Sequence, residues 1–191
     1  MFIKDTLLAT NFDTRWSTYQ RPTNLQAPRP WRAWLLDRGS LTTHLIAASN
    51  HHFKVALKQQ GWAIPCRSEA KVLKLKNRQA ALIREVELKG NDQTYVLART
   101  VIPASTLTGK YQQLANLGNR SLGSVLFSDP TMRRGTFQIC QLQLDSGEKV
   151  WARRSVFYLS GKPLLVCEVF LPILATTHYT PALLTNRKNR P

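Results

Sequence analysis

Acidic side chains are scarce in this sequence: 11 Asp and Glu stand against 27 Lys and Arg, a formal net charge of +16. Such a field favours anionic partners, whether nucleic acid, acidic lipid or a small polyanion. The basic residues are spread from Lys4 to Arg190 and gather into no long run, with a short knot at the tail, Arg187-Lys188. A scattered surplus serves solubility and steering rather than a dedicated groove, so no nucleic-acid partner is expected. Cysteine is nearly as rare. Cys66, Cys140 and Cys167 are odd in number and form no CxxC pair or Cys/His cluster, which argues against a disulfide framework and a zinc site. They read as half-buried thiols in a reduced compartment. His51-His52 lacks partners at ligand spacing, so no metal is expected. Long hydrophobic runs are missing too: the longest apolar stretch, Leu164 to Ala175, is interrupted by Glu168 and Pro172 and is too short to cross a bilayer. The start, MFIKDTLLATNFD, has no long apolar segment or small-residue cleavage site, and a cytoplasmic location is the expectation. No glycine-rich phosphate loop or nucleophile elbow is present.

What is there suffices for one core. Hydrophobic residues make up 43%, with five Trp and seven Phe, and 191 residues fit a single domain spanning 1–191. Residues 1–30, with Pro22, Pro28 and Pro30, read as an irregular lead-in, and 176–191 as a basic tail. The pattern predicts a helix from Trp31 to Asp37, then a second capped by Ser40 with Leu41, His44, Leu45 and Ala48 at helical spacing. Strands are expected from Phe53, with a hairpin around Gln59-Gln60-Gly61. A second hairpin pairs Ala81–Lys89 with Thr94–Ile102 across Gly90–Gln93. Thr106–Leu117 reads as a helix stopped by Gly118, and Ser121 caps another that runs to Phe127. Two long strands, Thr131–Leu144 and Lys149–Leu159, and a last one, Leu164–Leu171, complete the chain. The class is α+β: one antiparallel sheet, connected as a meander, with helices on a face or covering an end.

Charged residues in core positions are the most informative. In Ala81–Lys89 the apolar parity is Leu82, Arg84, Val86, Leu88, so Arg84 points inward while Glu85 and Glu87 can face water. A buried, unpaired guanidinium costs several kcal/mol as an order of magnitude, and Arg84 therefore needs an anion. Pairing Lys89 with Thr94 places Arg84 opposite Arg99, two like charges that a bound carboxylate would reconcile. Leu164–Leu171 is apolar on both parities except at Glu168, which marks that carboxylate as a candidate site residue. Its alternative role is an internal salt bridge to Arg84, Arg99 or Arg153.

Three sets of residues then bring a resemblance. Arg84-Glu85-Val86-Glu87-Leu88 with Ala98-Arg99-Thr100-Val101-Ile102-Pro103 is one. Leu117-Gly118-Asn119-Arg120-Ser121-Leu122-Gly123 is the second. Trp151-Ala152-Arg153-Arg154-Ser155 is the third, followed by Leu159-Ser160-Gly161-Lys162-Pro163 and Glu168-Val169-Phe170-Leu171-Pro172. In this order, over roughly residues 31 to 173, they resemble the chorismate lyases (chorismate–pyruvate lyases). The resemblance implies a six-stranded antiparallel sheet with helices covering an enclosed ligand site. It implies a cofactor-free carbon–oxygen lyase that turns chorismate into 4-hydroxybenzoate and pyruvate, the step that opens ubiquinone biosynthesis. Arg84 would hold the ring carboxylate and Glu168 would meet the 4-hydroxyl. Leu41 and Leu122 would add main-chain contacts. Leu41 stands where the family has Met, and Ala98 where it tends to have Gly.

On that resemblance catalysis is mostly positioning, with Arg84 and Glu168 fixing the diene and Arg99 the first candidate to stabilise the leaving enolpyruvate. The product keeps the groups that the site grips, so slow release and product inhibition are expected, from a compact monomer. Two other classes compete. One is a module that senses a small aromatic acid, because effector domains of some bacterial regulators share this fold, although no helix-turn-helix segment is apparent. The other is a basic nucleic-acid-binding protein, which would need clustered arginines and exposed aromatics.

Overall fold

The computed structural model describes residues 12–18 and 27–182; most of the lead-in, and the tail beyond 182, lie outside them. The chain order is β1 (Ser17–Thr18), α1 (Arg29–Leu36), α2 (Leu41–Ala48), β2 (Phe53–Ala63), α3 (Arg67–Val72), β3 (Ala81–Gly90) and β4 (Gln93–Pro103). A 3-10 helix, Gly109–Asn116, follows, then α4 (Leu122–Ser128), β5 (Arg133–Arg134), β6 (Gln138–Gln143), β7 (Lys149–Leu159), β8 (Lys162–Phe170) and a 3-10 turn, Pro172–Thr176. Six strands are six residues or longer. The two-residue β1 and β5 bring the antiparallel sheet to eight.

The order across the sheet is β1-β6-β7-β8-β4-β3-β2, with β5 on β7. Two three-stranded meanders, β2–β3–β4 and β6–β7–β8, are thus joined where β8 returns to lie beside β4. A single run of neighbours was the sequence expectation. The return arises because β8, apolar on both parities, is stable only in the middle of the sheet with both faces covered. On one face α1 and α2 bury Trp34, Leu35, Leu41 and Leu45 against Val86, Val96 and Phe170, while Leu114, Leu122 and Leu126 cover Ile102, Phe157 and Val166. The other face is closed by Phe12 and by the α3 region, including Leu73. Glu85 is therefore fully buried rather than facing water.

Several local readings change for identifiable reasons. Gln59-Gln60-Gly61 makes no turn: β2 continues to Ala63 through an irregularity at Leu57/Gln59. Its glutamines find partners, Gln60 donating to the Ala115 carbonyl (2.7 Å) and Gln59 to Glu85 (3.0 Å), so the strand need not break. The long strand expected over Thr131–Leu144 splits into β5 and β6 at Gly135, where a β-carbon would lie 3.2 Å from the Val156 carbonyl. The helix expected over Thr106–Leu117 is the shorter, tighter 3-10 segment. The unforeseen α3 begins with a capping box in which the Glu69 carboxylate accepts from the Cys66 amide (3.0 Å).

The most consequential difference is one residue of register. Leu88 pairs with Val96 but Lys89 pairs with Thr94, leaving Tyr95 as the extra residue of a bulge. Upstream of it Arg84 faces Thr100, and Arg99 faces Glu85. A one-residue slip exchanges the two faces of a strand, so Arg84 and Arg99 lie on opposite sides of the sheet. Tyr95 folds over Gly90, where an added β-carbon would fall 2.3 Å from its ring and 2.7 Å from the Ser49 β-carbon. Gly90→Ala should therefore cost about 1–3 kcal/mol through overpacking. A thermal melt checks this, and an unchanged midpoint would show that the bulge yields freely.

Candidate active site

A cavity lies between the sheet and the helices that cover it. Its floor carries Arg84, Val86 and Leu88 of β3, Ala98 and Thr100 of β4, and Val166 and Glu168 of β8. Strand pairing sets Glu168 beside Ala98 and Arg84 beside Thr100. The two charged residues are two strands apart and one pleat displaced, roughly 12 Å between α-carbons from ordinary strand spacings. Ala98, midway, presents only a methyl group to the floor.

The cover is made by two helix starts. Leu41 and Thr42 open α2; Leu122 and Gly123 open α4; all four line the cavity. The Thr42 and Ser121 hydroxyls lie 2.6 Å apart and bridge the two helices. The contact needs Gly123, where a β-carbon would sit 2.7 Å from the Thr42 hydroxyl. First-turn amides have no acceptor within their own helix, so Leu41 and Leu122 bring main-chain donors to the cavity wall.

Arg84 forms one end. It is 2% exposed, and its Nη2 donates to the carbonyls of Gly118 (3.0 Å) and Arg120 (2.9 Å). These carbonyls sit on a turn made possible by Gly118 at φ +55° and tied back by Arg120 to the Asn116 carbonyl. Nε is buried without a partner, and among the described residues no carboxylate lies within ion-pair distance of this guanidinium. Burial alone lowers its pKa to about 10. A cation held in place by neutral carbonyls and lacking an anion is an arrangement that a ligand carboxylate completes.

Glu168 forms the other end, among arginines. Its Oε2 accepts from Arg153 Nε at 2.5 Å, and Arg134 Nη2 lies 3.7 Å from the same oxygen. Arg153 also donates to the Trp34 and Asp37 carbonyls at the end of α1 (2.6 and 3.0 Å), which fixes the carboxylate against the covering segment. Arg134, on β5, donates to the Ser155 hydroxyl (2.9 Å) and packs on the rings of Phe137 and Phe157 (4.3 and 4.8 Å). Burial, then the neighbouring Arg153, lowers its pKa to about 9.

Of the residues singled out in the sequence, Arg84, Glu168, Leu41 and Leu122 converge on this cavity. Arg99 does not. On the opposite face it donates to Glu69 (2.8 and 3.1 Å) and to Glu85 (2.5 Å). Burial opposes its charge, but both carboxylates outweigh that and hold its pKa above the ordinary arginine value. The bulge at Tyr95 is what takes Arg99 out of the site. Arg134 replaces it as a cationic wall residue, and no periodicity marks it in the sequence, because the break at Gly135 determines where it points. The three thiols lie away from the cavity, and burial pushes Cys140 up to about 12 and Cys66 and Cys167 upward as well, which makes them poor nucleophiles. Among the described residues no group of three His, Cys, Asp or Glu could hold a metal. No described helix is long and apolar enough to cross a membrane.

Comparison with known proteins bears on this cavity. The family model for chorismate lyase matches residues 14–179. A protein of Methylococcus capsulatus named "Probable chorismate pyruvate-lyase" is 44% identical, over 73% of this chain and 93% of its own. Namesakes from Marinobacter nauticus and Thiobacillus denitrificans are 42% and 39% identical, covering 76% and 81% of this chain and 78% and 89% of theirs. Among solved structures, the effector domain of PhnF from Mycobacterium smegmatis superposes with a TM-score of 0.54 at 15% identity, covering 78% of this chain and 98% of that one. A GntR-family regulator from Bacillus cereus gives 0.51 at 12%, covering 69% and 99%. At such identities these two structures share the fold alone.

Proposed function

This chain belongs to the chorismate lyase family, and from that premise we propose that it eliminates pyruvate from chorismate to leave 4-hydroxybenzoate, the step that opens ubiquinone biosynthesis. The observation that carries the reading is Arg84, a cation buried in the cavity wall without a carboxylate partner among the described residues, with Glu168 at the far end of the same cavity. A ring with a carboxylate at one end and a hydroxyl opposite satisfies both. Arg84 takes the carboxylate through the donors that the Gly118 and Arg120 carbonyls leave free. Glu168, its Oε2 held by Arg153, offers Oε1 to the 4-hydroxyl.

In the reaction the ether C–O bond at ring C3 breaks, its electron pair leaves on the enolpyruvyl oxygen, and ring C4 loses its hydrogen. The enolpyruvate takes up hydrogen on carbon to become pyruvate, and the ring becomes aromatic. Aromaticity makes the step strongly downhill, so the protein's share is to hold one reactive conformer of the diene. Enclosure under α2 and α4 removes water and strengthens each charged contact.

The test is to mix the purified protein with chorismate, without metal or added cofactor, and to assay both products. Equimolar 4-hydroxybenzoate and pyruvate are expected. Saturable binding of 4-hydroxybenzoate with no turnover would favour a sensor of aromatic acids, the reading to which the effector-domain likeness of fold belongs.

The aromatic product keeps both gripped groups. Progress curves should therefore bend once 4-hydroxybenzoate exceeds enzyme, and added 4-hydroxybenzoate should slow the initial rate while added pyruvate should not. Linear turnover far beyond one product per enzyme would contradict slow release.

A further inference from the structure

We propose that Arg134 is a specificity-determining residue of this site: it receives the second carboxylate of the substrate, on the enolpyruvyl arm, and so selects a dianion over a monoanion. The inference rests on the lyase reading and deepens it. Charge around the cavity is the first observation. Arg84 and Arg134 line it, Arg153 stands behind Glu168, and Glu168 is the one carboxylate on its wall among the described residues. Three guanidiniums against one carboxylate leave two positive charges. The neighbouring Asp37 is not on that wall; its carboxylate lies 2.9 Å from the His44 imidazole. Nearby Arg38, stacked over Phe137, adds further positive charge. Chorismate carries two carboxylates, so the ligand and the cavity wall neutralise each other.

Geometry then says which arginine takes which carboxylate. Arg84 is committed to one end. Arg153 is fully buried, with Nε on Glu168 and Nη1 on two backbone carbonyls, and it does not line the cavity. Arg134 lines the cavity at the Glu168 end, and its link to Glu168, at 3.7 Å, is too long for a hydrogen bond. It is held by Ser155 and by the Phe137 and Phe157 rings, with a weak 3.4 Å contact to the Gly39 carbonyl. The guanidinium is thus oriented but its charge is incompletely answered. In chorismate the enolpyruvyl ether leaves the ring carbon next to the one bearing the hydroxyl. A hydroxyl at Glu168 therefore brings the enolpyruvyl carboxylate to the same end as Arg134. As the ether bond breaks, the electron pair moves onto the arm that carries this carboxylate, and a fixed cation there stabilises the departing enolpyruvate. After pyruvate leaves, 4-hydroxybenzoate is bound without that contact.

The experiment compares Arg134→Met and Arg134→Lys with the wild type using two unreactive probes: 4-hydroxybenzoate, a monoanion, and 3-(1-carboxyvinyloxy)benzoate, an aromatic dianion with the enolpyruvyl arm. The wild type should bind the dianion more tightly. Arg134→Met should lose that preference and lose kcat/KM for chorismate by roughly 30- to 1,000-fold, the effect of removing one partner from a buried charge pair. Its affinity for 4-hydroxybenzoate should stay within about threefold of wild type, as expected of a contact absent from that complex. Arg134→Lys, which keeps a point charge, should recover part of both losses. A parallel loss of 4-hydroxybenzoate affinity, or a dianion preference that survives in Arg134→Met, would overturn the proposal. A wild type that neither converts chorismate nor binds the dianion would instead overturn the lyase reading.

Discussion

Replacing Arg84 by methionine should leave a protein that melts no lower than the wild type yet converts chorismate poorly. Arg84 is a buried cation with no carboxylate partner among the described residues, so the folded chain bears the cost of its desolvation, the same cost that lowers its pKa to about 10. Methionine fills similar volume without that cost. The two carbonyls it releases, on Gly118 and Arg120, belong to exposed residues and can turn to water. Binding behaves oppositely. Loss of a charge-assisted, desolvated contact to the ring carboxylate removes about 2–5 kcal/mol, or roughly 30- to 4,000-fold in kcat/KM. Differential scanning calorimetry and steady-state kinetics on one preparation check both halves. A melting point several degrees below wild type would mean that Arg84 holds the fold together, and the activity loss would then say nothing about a ligand.

Arg99→Met should do the reverse to stability. Glu69 and Glu85, 2% and 0% exposed, would lose their shared cation while remaining buried. Breaking a buried pair from one side costs about 3–5 kcal/mol. That is a large part of the 5–15 kcal/mol on which a domain typically stands. The midpoint should fall by roughly 6–20 °C for a chain of this size. A variant that melts within a degree or two of wild type would remove the ion-pair role and return Arg99 to consideration as a ligand contact. Two arginines on paired strands thus separate by one residue of register, one onto the cavity wall and one onto the opposite face of the sheet.

Much of this was legible in the residues themselves. The α+β class, the Gly90–Gln93 hairpin, the Ser40-capped helix and the strand Lys149–Leu159 follow from local pattern, because periodicity and turn chemistry act over a few neighbouring residues. Arg84 and Glu168 stood out because a charge on an apolar parity is anomalous wherever the strand goes. Burial on both faces and pairing with distant elements follow no such local pattern. Glu85 read as solvent-facing because alternation cannot reveal that α3 and Leu73 cover its side of the sheet. Gln59-Gln60-Gly61 read as a turn because the acceptors that keep it in a strand, Ala115 and Glu85, lie far along the chain.

The sequence alone determined which side chains are out of place in a core, and with them the two ends of the site. Only the tertiary structure decided which of the remaining arginines joins them. A bulge at Tyr95 turns Arg99 to the far face, and a break at Gly135 brings Arg134 to the cavity. Side-chain direction in a sheet inverts with each residue of register, and register is set by hydrogen bonding between strands rather than by the composition of either one.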